Sequence, residues 1–165
     1  MKARLSVVAL VASVFVLPAI AAPELIYTRK DWSVWQQDVD GETICYAATE
    51  ATDKAPKSAD HGDVWFYVTS WESGAARGQP SLKVGYDLRE DLPSKARIGR
   101  SSWTMFGAKR EAFTHDDDDP KLVRALKRGR ELRVEAVSSR NTQVTYHFSL
   151  SGSSDAIDRA ARQCQ

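Results

Sequence analysis

Cys45 and Cys164 are the only two cysteines in this 165-residue chain. Two thiols could form one intrachain bridge, stay separate or pair between chains. The amino terminus bears on that choice. Lys2 and Arg4 precede a nearly unbroken apolar run from Leu5 to Leu17, closed by Pro18-Ala19-Ile20-Ala21. This charged, apolar, A-x-A order is that of a secretory signal peptide, and the apolar stretch is short for a membrane span. Cleavage is expected after Ala21, because a cut after Ala22 would put Pro23 at the scissile bond. Residues 1–21 are therefore read as a signal peptide and 22–165 as a single domain, periplasmic or secreted. Disulfides persist in those compartments.

Other side chains suggest chemistry less directly. Asp116 to Asp119, beside His115, could offer Ca²⁺ the oxygen ligands it favours. Consecutive residues cannot all face one ion, however, and no EF-hand spacing follows. The run reads better as a solvated loop feeding the positive end of a helix, so no metal site is expected. Lys121, Arg124, Lys127, Arg128, Arg130 and Arg133 could dock an anionic envelope component, or simply form the polar side of an amphipathic helix. A hydrolase would need a nucleophile with a base, yet there is no G-x-S-x-G and no H-E-x-x-H. His61 and His115 fall in polar loops, and His147 lies on the wet face of a strand. Bridged cysteines would not serve as nucleophiles. No catalytic residues and no cofactor are expected. Among the five tryptophans, Trp71 is the best exposed candidate for a sugar platform, since it ends a strand beside the polar loop Glu72 to Gln79.

Charge excludes one class of partner. The chain has 23 basic and 22 acidic residues, and residues 1–21 carry only Lys2 and Arg4 among them, leaving 21 against 22. A nucleic-acid binder would need a strong positive field. No second apolar run approaches membrane-spanning length, so no transmembrane segment is expected after cleavage.

The elements that must position these groups are mostly strands. Trp32 to Trp35 alternates and leads through Asp40-Gly41, a hairpin turn, into a strand over Thr43 to Ala48. Residues 50–62 read as a loop. Val64 to Ser70 is apolar on both faces, which suits a central strand. Gly74 to Pro80 reads as a loop, and Leu82 to Leu88 as a strand with one wet face. Shorter strands are expected at Lys95 to Ile98, Trp103 to Phe106 and Glu111 to Phe113. Leu132 to Val137 and Gln143 to Leu150 flank a hairpin at Ser139-Arg140-Asn141. One helix starts at Asp119-Pro120 and stops before Gly129, burying Leu122, Ala125 and Leu126. A second, capped by Ser153 or Ser154, carries Ile157, Ala160, Ala161 and Cys164 along one stripe. The predicted fold is mainly β, an antiparallel β-sandwich or closed barrel-like sandwich with two short helices. Cys164 lies on the face its helix must bury, and Cys45 shares a strand face with the small residues Thr43 and Ala47. An intrachain bridge stapling the carboxyl-terminal helix to the sheet is the expected outcome.

Three stretches together resemble the invasion associated locus B family of exported alphaproteobacterial proteins. They are Asp31-Trp32-Ser33-Val34 with a cysteine in the next strand, Lys121 to Gly129, and Phe148-Ser149-Leu150-Ser151-Gly152 leading to Cys164. Ser153 stands where many members have Phe, and Trp35-Gln36 occupies a region where many carry a further cysteine. The resemblance implies an envelope or host-interaction role rather than a reaction. The expected function is that of a non-enzymatic exported module acting on an unknown protein partner. A small-ligand or glycan-binding sandwich is the alternative.

Overall fold

The computed structural model describes residues 22–165, so the expected signal peptide and its cleavage site lie outside the described residues. Period-two burial builds the sheet. In β5 (Trp65–Trp71), Phe66, Val68 and Ser70 are buried while Trp65, Tyr67, Thr69 and Trp71 are half-exposed. In β11 (Gln143–Ser149), Val144, Tyr146 and Phe148 are buried in the same way. The other strands are β1 (Glu24–Arg29), β2 (Trp32–Val39), β3 (Glu42–Glu50), β4 (Asp53–Ala55), β6 (Arg77–Lys83), β7 (Ser94–Ile98), β8 (Ser101–Ala108), β9 (Glu111–Phe113) and β10 (Glu131–Val137). Every pairing is antiparallel, in the order β1-β2-β3-β5-β6-β9-β8-β7-β10-β11-β4.

Two corners fold this sheet into a two-layered, barrel-like sandwich with β1 and β4 at its edges. β8 pairs with β7 through its first half and with β9 through its second. At the far end β4 continues β3 after only Ala51 and Thr52, yet pairs with β11. The Thr52 N–H and hydroxyl both donate to the His147 carbonyl, at 2.8 and 3.0 Å, pinning that bend. The core lies between the layers, where the Phe66 and Phe148 rings meet at 5.7 Å. Each large side chain buried there contributes about 1.5–3 kcal/mol of transfer free energy.

Both helices pack on the core side of the β1–β6 layer, where Ala47 and Cys45 are small enough to admit them. α1 (Asp119–Arg128) buries Leu122 and Leu126; α2 (Ser153–Gln163) buries Ala156, Ile157 and Ala160. Their capping differs from expectation. Asp118 rather than Asp119 is the N-cap of α1, and Gly152 rather than a serine caps α2. Gly129 ends α1 with extended backbone (φ −77°). Its role is spatial, since a Cβ there would lie 2.6 Å from Ile98 Cγ2 and 2.7 Å from Leu150 Cδ1.

The loops also need correction. β4 lies within the stretch expected to be a loop at 50–62, and β6 occupies much of the loop expected at 74–80. The strand expected over Leu82 to Leu88 ends at Lys83, although Val84 and Leu88 remain buried. β1 is an additional strand.

Candidate functional site

Cys45 and Cys164 form a disulfide, with their Cα atoms 5.7 Å apart and a sequence separation of 119. The bond ties the end of α2 to the middle of β3. A second fastening joins the start of β2 to the segment between β11 and α2. The Asp31 N–H donates to Ser151 O (3.2 Å), the Ser149 hydroxyl to Asp31 Oδ2 (2.5 Å) and the Trp32 indole N–H to Ser149 O (2.9 Å). Ser153 Oγ lies 2.8 Å from the carbonyls of both Leu126 and Leu150. Gly152, at φ 95°, fits so tightly that a Cβ would sit 2.1 Å from Arg29 O. The three stretches that carry the family resemblance thus converge on one corner, and what they do there is hold it together.

The opposite face of the same layer is chemically unusual. Register places Leu25 beside Trp35, Trp35 beside Tyr46, and Ile44 beside Trp71. Tyr46 and Tyr67 make an edge contact at 5.6 Å, and Trp65 stacks on Tyr67 at 6.3 Å. All but Leu25 are half-buried; Leu25, on the edge strand, is 50% exposed. Both helices and the second sheet layer pack on the other side. The Tyr67 hydroxyl is pushed up to about 12, first by burial and then by Tyr46, Glu111 and Asp63. Trp71 is one member of this array, half-buried like Trp35 and Trp65, rather than a singly exposed platform; Trp32 is core. The signal that could have revealed the array is the aromatic alternate face of Val64 to Ser70, which had suggested burial on both sides.

A third feature has no sequence precedent. His61 is not a solvated loop residue: it is 7% exposed. Its Nε2 lies 2.9 Å from Pro56 O and its Nδ1 lies 3.0 Å from the Tyr146 hydroxyl, which in turn contacts the Tyr86 hydroxyl. Burial raises both tyrosine pKa values. This chain of bonds runs beside a groove of about 690 Å³ between the 56–62 loop, residues 85–87 and the β10–β11 turn.

The acidic run disperses. Asp119 is buried against the Thr114 hydroxyl, Asp118 pairs with Lys121 at 2.7 Å, and Asp116 and Asp117 face solvent. Describing all four as a solvated loop therefore fails for Asp119, whose pKa is raised mainly by burial despite the Thr114 bond. Of the basic stretch, Lys121, Lys127 and Arg133 pair with Asp118, Asp158 and Glu135, while Arg124, Arg128 and Arg130 are exposed. His115 stacks on Phe106 at 4.3 Å, and His147 lies 3.0 Å from Glu131. Among the described residues, no histidine is hydrogen-bonded to a serine, and no helix is long and apolar enough to cross a membrane.

Fold and fastenings together define a disulfide-stapled, all-antiparallel β domain with an aromatic outer face. Residues 32–161 match the family model described as Invasion associated locus B (IalB) protein, and the chain belongs to that family. No curated protein and no solved structure matches the chain.

Proposed function

We propose that the protein is a non-enzymatic, exported domain that acts through protein contacts in the cell envelope or in host interaction. The observation that carries this reading is the outer face formed by Leu25, Trp35, Tyr46, Trp65, Tyr67 and Trp71. Aromatic side chains supply large contact area with few rotors, and they are enriched where proteins meet. The disulfide and the signal-peptide pattern support export. The absence of catalysis is supported by the bonded cysteines and by the three histidines, each engaged with a carbonyl and tyrosine, a phenyl ring or a carboxylate.

The test presents immobilised residues 22–165 to envelope extract, beside a Trp65→Ser/Tyr67→Ser variant and an Arg124→Glu control, each checked for folding by circular dichroism. Wild type and control should retain the same discrete proteins and the aromatic-face variant should lose them. Equal retention by all three would remove the face from the account. For export, mass spectrometry of protein from the native host should find the mature amino terminus at Ala22. Intact Met1 on cytosolic protein would reject it.

A further inference from the structure

We propose that the groove beside His61, Tyr146 and Tyr86 is a binding site for a neutral, polyhydroxylated ligand, a single sugar unit. It shares no residue with the aromatic outer face and stands independently of that reading.

The groove is held in shape by its own wall. The 56–62 loop docks on Gly85, where a Cβ would come within 2.9 Å of His61 O and 3.0 Å of Gly62 Cα. Lys54 Nζ donates to Gly62 O at 2.9 Å, and the Gly62 N–H donates to Asp60 Oδ1 at 3.1 Å. Its volume falls within the ~300–1,000 Å³ typical of small-molecule sites.

Hydrogen-bond direction then specifies the ligand. The Pro56 carbonyl can only accept, so His61 Nε2 must donate to it. In the tautomer that carries this proton Nδ1 is an acceptor, so the Tyr146 hydroxyl donates to it and is left to accept from Tyr86. Tyr86, the last member and a lining residue of the groove, has its proton turned inward and offers oxygen lone pairs. Asp60 and Asp87 are further acceptors; Arg110, Arg140 and Ser139 are donors. Two carboxylates balance two guanidiniums, and Arg110 already lies 3.5 Å from Asp87. An anion would lose to the carboxylates what it gained from the arginines. An apolar ligand would strip water from these groups and replace none of its bonds. Vicinal hydroxyls each donate and accept, which matches the mixture.

The experiment follows backbone amides by ¹⁵N NMR while glucose, galactose, mannose, N-acetylglucosamine, galacturonate or inorganic phosphate is added to residues 22–165. At least one neutral sugar should produce saturable shifts at Gly62, Ser139 and Thr142 in the millimolar range. Tyr86→Phe, Asp87→Asn and Arg140→Ala should each weaken it about tenfold, as expected for losing one charge-assisted or buried bond. The last two alter exposed side chains, so they report even if Tyr86→Phe fails to fold. Trp65→Ser should bind as wild type. The proposal falls if no neutral sugar saturates these amides, if only galacturonate or phosphate does, or if Asp87→Asn and Arg140→Ala bind unchanged.

Discussion

Removing the Cys45–Cys164 bond in a Cys45→Ala/Cys164→Ala variant tests how the carboxyl-terminal helix is held. The bond spans 119 positions. In the chain-entropy treatment, closing a loop of that length removes about 16 cal/mol/K from the unfolded ensemble, or about 4.9 kcal/mol at 25 °C. Unfolding the 144 residues from Ala22 to Gln165 carries an entropy near 0.3 kcal/mol/K, so the melting temperature should fall by roughly 16 °C. Urea titration of oxidised wild type and variant should show the midpoint falling. The slope should rise, because an uncrosslinked unfolded chain exposes more surface. Hydrogen exchange should quicken in α2 before the β10–β11 hairpin, since what still holds α2 is its packing, the Ser153 contacts and side-chain links at Asp155, Asp158 and Gln163. Denatured, unreduced wild type should contain no free thiol and run as a monomer. A stability loss below about 1 kcal/mol, reactive thiols or a disulfide-linked dimer would refute the reasoning.

Gly152→Ala should destabilise by more than about 2 kcal/mol in urea titration, because the left-handed backbone and the Arg29 carbonyl both oppose a side chain; a neutral substitution would show that the corner can open cheaply. Asp119→Asn isolates the buried carboxyl. Its folded pKa is raised, so the unfolded state releases its proton first and wild-type stability, measured relative to the variant, should decline as pH rises upward from the ordinary carboxylate range. A flat difference between pH 3 and 7 (about the span in which carboxyls titrate) would contradict this. Millimolar Ca²⁺ should leave the melting temperature unchanged, because Asp119 is buried on Thr114, Asp118 pairs with Lys121 and Asp116 and Asp117 face solvent; a saturable rise lost in Asp116→Asn/Asp118→Asn would reverse that conclusion.

What the sequence revealed and what it hid follow from where the determining forces sit. β5, β11 and the two helical stripes were legible because burial of one face imposes a period on their own residues. The hairpins were legible because Asp40, Gly41 and Asn141 adopt positive φ, at 53°, 83° and 63°. β4 was not, since Asp53-Lys54-Ala55 is extended only through pairing with β11. β6 was hidden by Gly78 and Pro80. Its pairing with β9 covers only Ser81 to Lys83, so Pro80 lies beyond that ladder and donates nothing to it. Leu82 to Leu88 kept its burial pattern but lost its ladder where Gly85 meets the 56–62 loop. The cysteine pair was readable from face and compartment. The groove was not: nothing in the chain marks His61 as the neighbour of a tyrosine 85 positions away.

The corner at Gly152 also dictates an order of events in time. Asp31 and Ser151 lie near opposite ends of the described chain, and the Trp32 indole bonds a carbonyl 117 positions later. During synthesis from the amino terminus, β1 to β3 emerge long before the segment that completes their corner. Until residue 149 follows, the Trp32 indole has no acceptor, and until residue 164 follows, the thiol of Cys45 has no mate. The nascent chain therefore carries a reactive sulfur and an unfinished layer for most of its length, the condition in which strands seek wrong partners. Contacts this distant also slow folding, because loop closure must precede any reward. The stretches by which the family is recognised are thus the last to be joined, and loss of the final helix should leave all eleven strands with the core side of β2 and β3 uncovered, prone to aggregate rather than to work as a smaller domain.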